Sequence, residues 1–372
     1  MTPIPRPVRV RVEYAARLDP VRWAARHAAG EVPDVLPYGL DRMAGFGVEV
    51  DPHAVTLPGP VERVARSVRH RTGGLEVAEL ARVSARRADV VLAYDERTGV
   101  PAALRHRRTP VVTGIGWLTD PADSPPLQAR LARRALGRAT RVFAQCRPML
   151  PLLVDRWGVA EERTRYVPVG IDTDFYTEQP WPAAAPITVF TAGEDRYRDH
   201  DLLVGAVRAL RTERPDLRLD LATGLPTTFT PDLGTLHTAR LEGRIRPLYA
   251  AASVVAVALH PTVTGSGLTV VLEAMASGRP LVVTDNPGIA DYVEHGRTGL
   301  LVPAGDARAL AEALAALVDD PVRARDMGAA AAEQVRRRFT STAMAERLAG
   351  LVREAALGGA SVGSRGVRGT RA

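Results

Sequence analysis

Lysine is absent from the 372 residues, so all 49 basic side chains are arginine. A compositional bias toward Arg and Ala accounts for this without a functional reason. Cysteine is nearly absent: the single Cys146 cannot close an internal disulfide, which suits a reducing cytoplasm. No arrangement around it names a catalytic partner, so no thiol chemistry is expected of it. Long apolar runs are missing too. The longest uncharged one, residues 248–259, has twelve residues, where a membrane-spanning helix needs ~20. The opening Met1 to Pro7 carries no apolar signal-peptide core, so export is not expected. Aromatic residues are only 5%, and no strand interleaves them with basic residues as nucleic-acid modules do.

What remains is a globular composition. Apolar residues are 46% and charged ones 24%, with 32 Gly and 29 Pro, which excludes a disordered chain, a collagen and a coiled coil. The length suggests about two to three domains. Short apolar, β-branched runs alternate with helical patterns almost throughout. Strands are expected at 8–14, 47–50, 89–93, 110–113, 141–144 and 165–169. In the back half they are expected at 187–191, 217–222, 253–259, 280–284 and 299–302. Most are continuous apolar runs, as in strands buried on both faces of a parallel sheet. Asp306 is placed to N-cap a helix over 307–318. The fold class is therefore α/β, with two doubly wound domains.

Residues 177–186, Thr-Glu-Gln-Pro-Trp-Pro-Ala-Ala-Ala-Pro, read as a linker, because proline removes donors and disfavours helix before its ring. The expected organisation is a first domain over 1–176 and a second over 187–340. A helix over 341–357 could return to the first domain, and the Gly- and Arg-rich stretch 358–372 reads as a disordered tail.

The most informative segment is Thr264-Gly-Ser-Gly-Leu-Thr-Val-Val-Leu-Glu-Ala-Met-Ala-Ser-Gly278. A Gly-Ser-Gly loop enters a helix that stops at Gly278. Leu268, Val271, Leu272 and Met275 form one apolar stripe, with Thr269, Glu273 and Ala276 about 100° round from it. The helix start offers free N–H groups to an anion at Ser266 and Gly267. Glu273 lies ~9 Å further along at ~1.5 Å per residue, where a carboxylate could accept ribose hydroxyls. A surface Glu on a core helix is the plain alternative. A second segment follows the strand at 187–191: Gly193 turns the chain where open α/β sheets place ligands. Arg196 and Arg198 come next and could clamp a diphosphate or simply solvate the loop.

Three stretches carry a resemblance to a known family. They are Pro168-Val-Gly-Ile-Asp-Thr-Asp-Phe175, residues 273–284 (Glu-Ala-Met-Ala-Ser-Gly-Arg-Pro-Leu-Val-Val-Thr) and residues 295–306 (His-Gly-Arg-Thr-Gly-Leu-Leu-Val-Pro-Ala-Gly-Asp). In that order they closely resemble the family-4 retaining glycosyltransferases, over about residues 35–350. The resemblance implies the GT-B architecture: two Rossmann-like domains with a cleft between them and the donor in the rear one. It implies transfer of a sugar from a nucleotide-diphospho-sugar to a hydroxyl acceptor with retention at the anomeric carbon, without a metal or other cofactor. Glu273 would hold the donor ribose and Arg198 the pyrophosphate, with Gly193, Arg196, Ser266, Gly267, Leu268 and Thr269 completing the donor side. Gly39, after Tyr38, could face the acceptor or the donor phosphate, or simply start a helix, and Trp117 is the other acceptor-side candidate.

The chain also departs from the family pattern. Gly265 stands where the family has a first Glu, and Glu194 where an Arg often follows the first glycine. Val112-Thr-Gly-Ile-Gly-Trp117 replaces a stretch that often carries a His. These departures keep two rivals open: a catalytically silent nucleotide-sugar-binding protein, and a GT-B sugar-nucleotide epimerase or phosphorylase. Asp172-Thr-Asp174 looks like a metal-binding Asp-x-Asp but reads as a turn, and His295 as structural.

Residues 1–180 hold 27 Arg against 21 acids, and 181–372 hold 22 against 21, so the front half carries the positive field. Arg63, Arg66, Arg69 and Arg71, with Arg130, Arg133, Arg134 and Arg138, put charge on helical faces. Docking on an anionic membrane, nucleic-acid binding and plain solvation compete as explanations. Without a helix-turn-helix signature nucleic acid is not expected. Plain solvation is the favoured reading of these faces, and the expected location is the cytoplasm, with peripheral contact at the inner membrane face as the alternative.

Overall fold

The computed structural model describes residues 6–57, 59–77, 88–182 and 186–363. The chain forms two compact units. The first takes in the chain up to Arg26, Asp34–Pro168 and the chain from Thr342; the second takes in His27–Pro33 and Val169–Ser341.

The first unit holds a parallel sheet of β1 (Val8–Tyr14), β2 (Val48–Ala54), β3 (Val90–Ala93), β4 (Val111–Ile115), β5 (Arg141–Ala144) and β6 (Thr164–Tyr166). Its order is β2-β1-β3-β4-β5-β6, with Val10 opposite Val50 on one side and Val90 on the other. The crossovers include α1 (Pro20–Ala28), α2 (Gly59–Arg71), α3 (Glu96–Arg105), α4 (Pro126–Leu136) and α5 (Met149–Asp155). The second unit holds β7 (Ile187–Ala192), β8 (Leu217–Ala222), β9 (Gly234–His237), β10 (Val254–Val257), β11 (Leu281–Thr284) and β12 (Leu300–Val302). Its helices are α6 (His200–Leu210), α7 (Ile245–Ala251), α8 (Leu268–Ala276), α9 (Ala307–Val318) and α10 (Pro321–Arg338). The last helix, α11 (Ser341–Gly363), packs on the first unit: Met344, Leu348 and Val352 join Val10, Val12, Leu92, Leu40 and Met43 in one core.

The order of the second sheet is β12-β11-β10-β7-β8-β9. Counted from β7, this is the 3-2-1-4-5-6 order of dinucleotide-binding folds, whereas the first sheet follows the 2-1-3-4-5 order with one further strand. In such sheets ligands bind beyond the carboxyl ends of the strands where the order reverses. Those points are β1/β3 in the first unit and β7/β10 in the second.

Buried valines on both faces explain β3 and β10, in which every residue is buried. β1 departs from the continuous pattern. Val10, Val12 and Tyr14 enter the core, while Arg11 and Glu13 are buried on the opposite face, beside Asp51 at 3.1 Å and His53 at 3.6 Å. Burial pushes the Glu13 carboxyl up to about 7. Asp306 accepts from Ala309 N at 2.9 Å and caps α9 as its position suggests.

Two expectations are revised. β9 appears in the sequence as nothing more than Gly-Thr-Leu-His, a short, partly exposed edge strand. A Cβ on Gly234 would overlap the Leu219 backbone, so only glycine brings this strand onto β8. The stretch after 357 is helical as far as Gly363; residues 364–372 lie outside the described residues, as do 183–185 of the proline-rich stretch. Its described part is tied to the second unit: Gln179 N donates to Ser277 O at 3.2 Å and Arg279 Nη2 to Pro180 O at 2.6 Å.

Candidate functional site

The carboxyl ends of β7 and β10 feed two loops that meet. After β7, Gly193 N donates to Ala222 O at 3.0 Å, and a Cβ there would overlap the Arg198 guanidinium. Glycine is what lets the Arg198 side chain pass. That side chain is only 4% exposed, and its Nε donates to Asp195 Oδ2 at 2.8 Å. Asp195 Oδ1 accepts from Ser266 Oγ at 2.7 Å, so one carboxylate ties the loop after β7 to the loop after β10. Against the upward push of burial, the Arg198 charge and the Ser266 and Arg198 hydrogen bonds hold Asp195 below the usual carboxylate range.

Arg198 Nη1 is buried without a hydrogen-bond partner. Such a group is costly unless something occupies it. It lies 3.6 Å from where a Cβ on Gly267 would stand. Gly267 has φ +83° and starts α8 with no side-chain cap, leaving first-turn N–H groups for an anion. A buried guanidinium with one unpartnered nitrogen and an uncapped helix start thus adjoin at the switch point of this sheet.

Along α8 every residue is buried except Thr269, which is exposed, and Glu273, which is partly exposed. They lie one turn apart on one face. Glu273 Oε2 accepts from Tyr249 Oη at 2.7 Å, and Tyr176 donates to the same carboxyl. Despite its exposed edge the carboxyl is densely surrounded. That burial pushes it up to about 7, against the two tyrosines and the Arg198 charge. A carboxylate has about four acceptor sites, so two phenols leave capacity for more hydroxyls.

The structure therefore brings Gly193, Arg198, Ser266 and Gly267 together. Leu268 is buried in the core and offers backbone only. Arg196 points elsewhere: it is exposed, its Nη2 donates to Tyr197 Oη at 2.9 Å and its guanidinium lies 4.9 Å over that ring. Glu194 is exposed, and the Gly265 carbonyl accepts from Leu268 N at 3.2 Å. In the first unit Gly39 is buried at φ +64° beside Tyr38, and Trp117 is 38% exposed. Asp172 Oδ1 accepts from Asp174 N at 3.0 Å, which makes Asp-Thr-Asp a turn. His295 Nδ1 accepts from Leu301 N at 3.0 Å, a bracing contact, and Cys146 is buried. Among the described residues no three His, Cys, Asp or Glu side chains converge as a metal site.

Sequence reasoning passed over Asp195, Tyr176 and Tyr249. The spacing Asp195–Arg198, three residues apart after a strand-end glycine, was a usable signal. The tyrosines reach Glu273 only through the tertiary fold.

Two family models match in succession: "Glycosyltransferase Family 4" over residues 13–175 and "Glycosyl transferases group 1" over 185–320. A D-inositol 3-phosphate glycosyltransferase of Corynebacterium glutamicum is 27% identical over 84% of this chain and 89% of its own length. One from an Arthrobacter species is 29% identical over 54% of this chain, which spans about half of that relative, 52%. Sucrose-phosphate synthase from Thermosynechococcus elongatus has the same fold, with TM-score 0.69 and 19% identity over 93% of this chain and 98% of its own. HepE from Anabaena, solved with UDP and glucose, gives a TM-score of 0.64 at 16% identity over 93% and 99%. The two family matches run in order along most of the chain, one on each α/β unit, and the chain belongs to the family-4, group 1 glycosyltransferases of GT-B fold.

Proposed function

We propose that the protein is a retaining, metal-independent glycosyltransferase that takes a sugar from a nucleotide-diphospho-sugar held by the second unit. The observation that carries this reading is the buried, unpartnered Nη1 of Arg198 beside Gly267. A diphosphate there would be met by a guanidinium and by helix N–H groups, and negative charge building on it as the sugar departs would be stabilised without a metal. The free capacity of Glu273 suits two vicinal ribose hydroxyls. Arg196 would reach the phosphates only by leaving Tyr197. As the bond from the anomeric carbon to the diphosphate breaks, the acceptor oxygen bonds that carbon on the same face and its proton passes to the leaving diphosphate. Acceptor recognition falls to the first unit, near Gly39 and Trp117. Relatives named for D-inositol 3-phosphate make cyclitols reasonable acceptors to try.

The arginines Arg63, Arg66, Arg130, Arg133, Arg134 and Arg138 are all exposed, as are Val61 and Val64 on α2. No described helix is long and apolar enough to cross a membrane. Cationic and apolar side chains on one exposed helix suit peripheral contact with an anionic membrane in the cytoplasm.

Gly265, where the family has a Glu, supports a second reading: a binding protein that does not turn over. Incubation with UDP-, GDP-, ADP- and dTDP-sugars in the presence of EDTA separates the two. Release of free sugar or a glycoside, with the donor's anomeric configuration retained in its NMR spectrum, is expected. Tight binding with no turnover in any acceptor mixture favours the silent protein, and inversion contradicts the retaining mechanism.

A further inference from the structure

The loop that joins β10 to α8 is braced from two sides. On one side stands the loop after β7: His260 N donates to Tyr197 O at 2.8 Å, and Ser266 is held by Asp195. On the other stands the end of β11. Thr284 Oγ1 accepts from Leu259 N at 2.9 Å. Just beyond it, Asn286 Nδ2 donates to His260 O at 3.1 Å and its Oδ1 accepts from Thr262 N at 3.2 Å. These bonds fix which end of the amide is which, because a carbonyl needs a donor and an N–H needs an acceptor. Asn286 is only 3% exposed, and its own backbone is anchored by Thr284 O at 2.8 Å and Ile289 N at 2.9 Å.

The bracing continues from Asn286 along the loop. Thr262 Oγ1 accepts from Thr264 N at 3.1 Å and pairs with Thr264 Oγ1 at 2.9 Å. Thr264 is buried. Gly265 follows with no side chain to anchor it, and then comes Ser266. The loop therefore has separate anchors at its two ends, Asp195 beside Arg198 and Asn286 away from it. The helix gives those ends a direction. Glu273 lies six residues past Gly267, ~9 Å along α8. With the ribose at Glu273 and the diphosphate at Arg198 and Gly267, the group esterified to the outer phosphate lies past the start of α8, toward residues 261–265.

We propose that Asn286 is a positioning residue for the transferred sugar. It holds residues 260–264 in the shape that the sugar meets, and it acts through that loop, because both ends of its amide are already engaged there. The inference rests on the donor reading of the second unit.

Calorimetric titration of the full chain separates the sugar's share of binding from that of the diphosphate. The probes are UDP against UDP-glucose and UDP-N-acetylglucosamine, and GDP, ADP and dTDP each against its glucose ester. The pair with the largest ratio of diphosphate Kd to sugar-ester Kd in the parent is carried into the variants. Asn286→Ala should reduce that ratio about tenfold while diphosphate affinity stays within about twofold. Asn286→Asp keeps the acceptor for Thr262 N, loses the donor to His260 O and should fall between Ala and the parent. Asp195→Asn should weaken both ligands alike and leave the ratio unchanged. A residue that only stabilised the fold would not move the ratio, since both ligands bind the same folded protein. If Asn286→Ala does not fold, Thr262→Val decides: it removes the hydroxyl that Thr264 bonds and should lower the ratio about threefold. An unchanged ratio in the folded variants, a ratio moved as far by Asp195→Asn, or a parent that gains nothing from any sugar overturns this inference alone. A parent that binds none of the diphosphates defeats the donor reading and this inference with it.

Discussion

Arg198 and Gly267 form a matched pair: the buried Nη1 of one lies 3.6 Å from where a Cβ of the other would stand, and Gly267 holds φ +83°. A side chain at Gly267 would also press on Val257 Cγ1 at 3.0 Å. Gly267→Ala should therefore cost about 1–3 kcal/mol of stability through backbone strain. It should weaken nucleotide-sugar binding further by filling the approach to Arg198. Denaturant unfolding and calorimetric binding on one preparation check both effects; unchanged affinity in a destabilised protein contradicts the pairing.

Glu273 has a structural role beside the ligand role proposed for it. Glu273→Ala leaves the Tyr249 and Tyr176 hydroxyls without their acceptor, at about 1–3 kcal/mol for a buried unsatisfied group. Its melting temperature should fall, and donor binding with it. Glu273→Gln keeps an acceptor oxygen and should recover most of the stability but less of the affinity. Equal stability of the Ala variant and the parent would refute the network.

Three carboxyls impose a pH dependence. Burial raises Glu13, Glu96 and Glu273 from 4.5 to about 7. A raised carboxyl stabilises the fold in its protonated form, so this contribution is complete below pH 4.5 and is lost as pH climbs to about 7. Asp195, held low, acts oppositely and loses its contribution only in stronger acid. Between pH 4.5 and 7 these carboxyls should thus lower stability, opposed in part by His53, His106 and His200, whose pKa values burial lowers. Glu13→Gln should flatten the decline and be more stable than the parent at pH 8. A flat profile for the parent, or no gain in the variant, contradicts this.

Much of this was legible before the fold. Strands buried on both faces announce themselves as apolar runs, and β1, β5 and β8 have the bounds their patterns suggest. The Asp306 cap is local chemistry and was equally visible. β9 was not, because Gly234 is placed by the Leu219 backbone and not by any pattern of its own. Gly193, Arg198, Ser266 and Gly267 could be singled out one by one. What joins them, Asp195, lies between Glu194 and Arg196 in a charged loop, and its spacing of three from Arg198 is its one local signal; its bond to Ser266 appears only in the fold. Glu96 was likewise invisible, since its partners lie twenty residues on at Gly116 and Trp117.

The Asp306 cap offers a control far from chemistry. Asp306→Ala should cost about 0.5–2 kcal/mol and leave nucleotide binding untouched, as thermal unfolding with and without nucleotide will show. A loss of binding in this variant would mean that stability alone explains the others.

The exposed arginines predict salt-sensitive sedimentation with phosphatidylglycerol vesicles and none with phosphatidylcholine. Arg63→Glu with Arg66→Glu should abolish it. Equal sedimentation with both lipids contradicts an electrostatic membrane contact.

The most direct test of the donor site is thermal unfolding with UDP-, GDP-, ADP- and dTDP-sugars, for the parent and for Arg198→Ala. At 100 times its dissociation constant a ligand adds about 2.7 kcal/mol. One nucleotide class should raise the midpoint by several degrees in the parent and by little or nothing in Arg198→Ala. No shift with any nucleotide, or an equal shift in both proteins, would contradict a diphosphate held by Arg198.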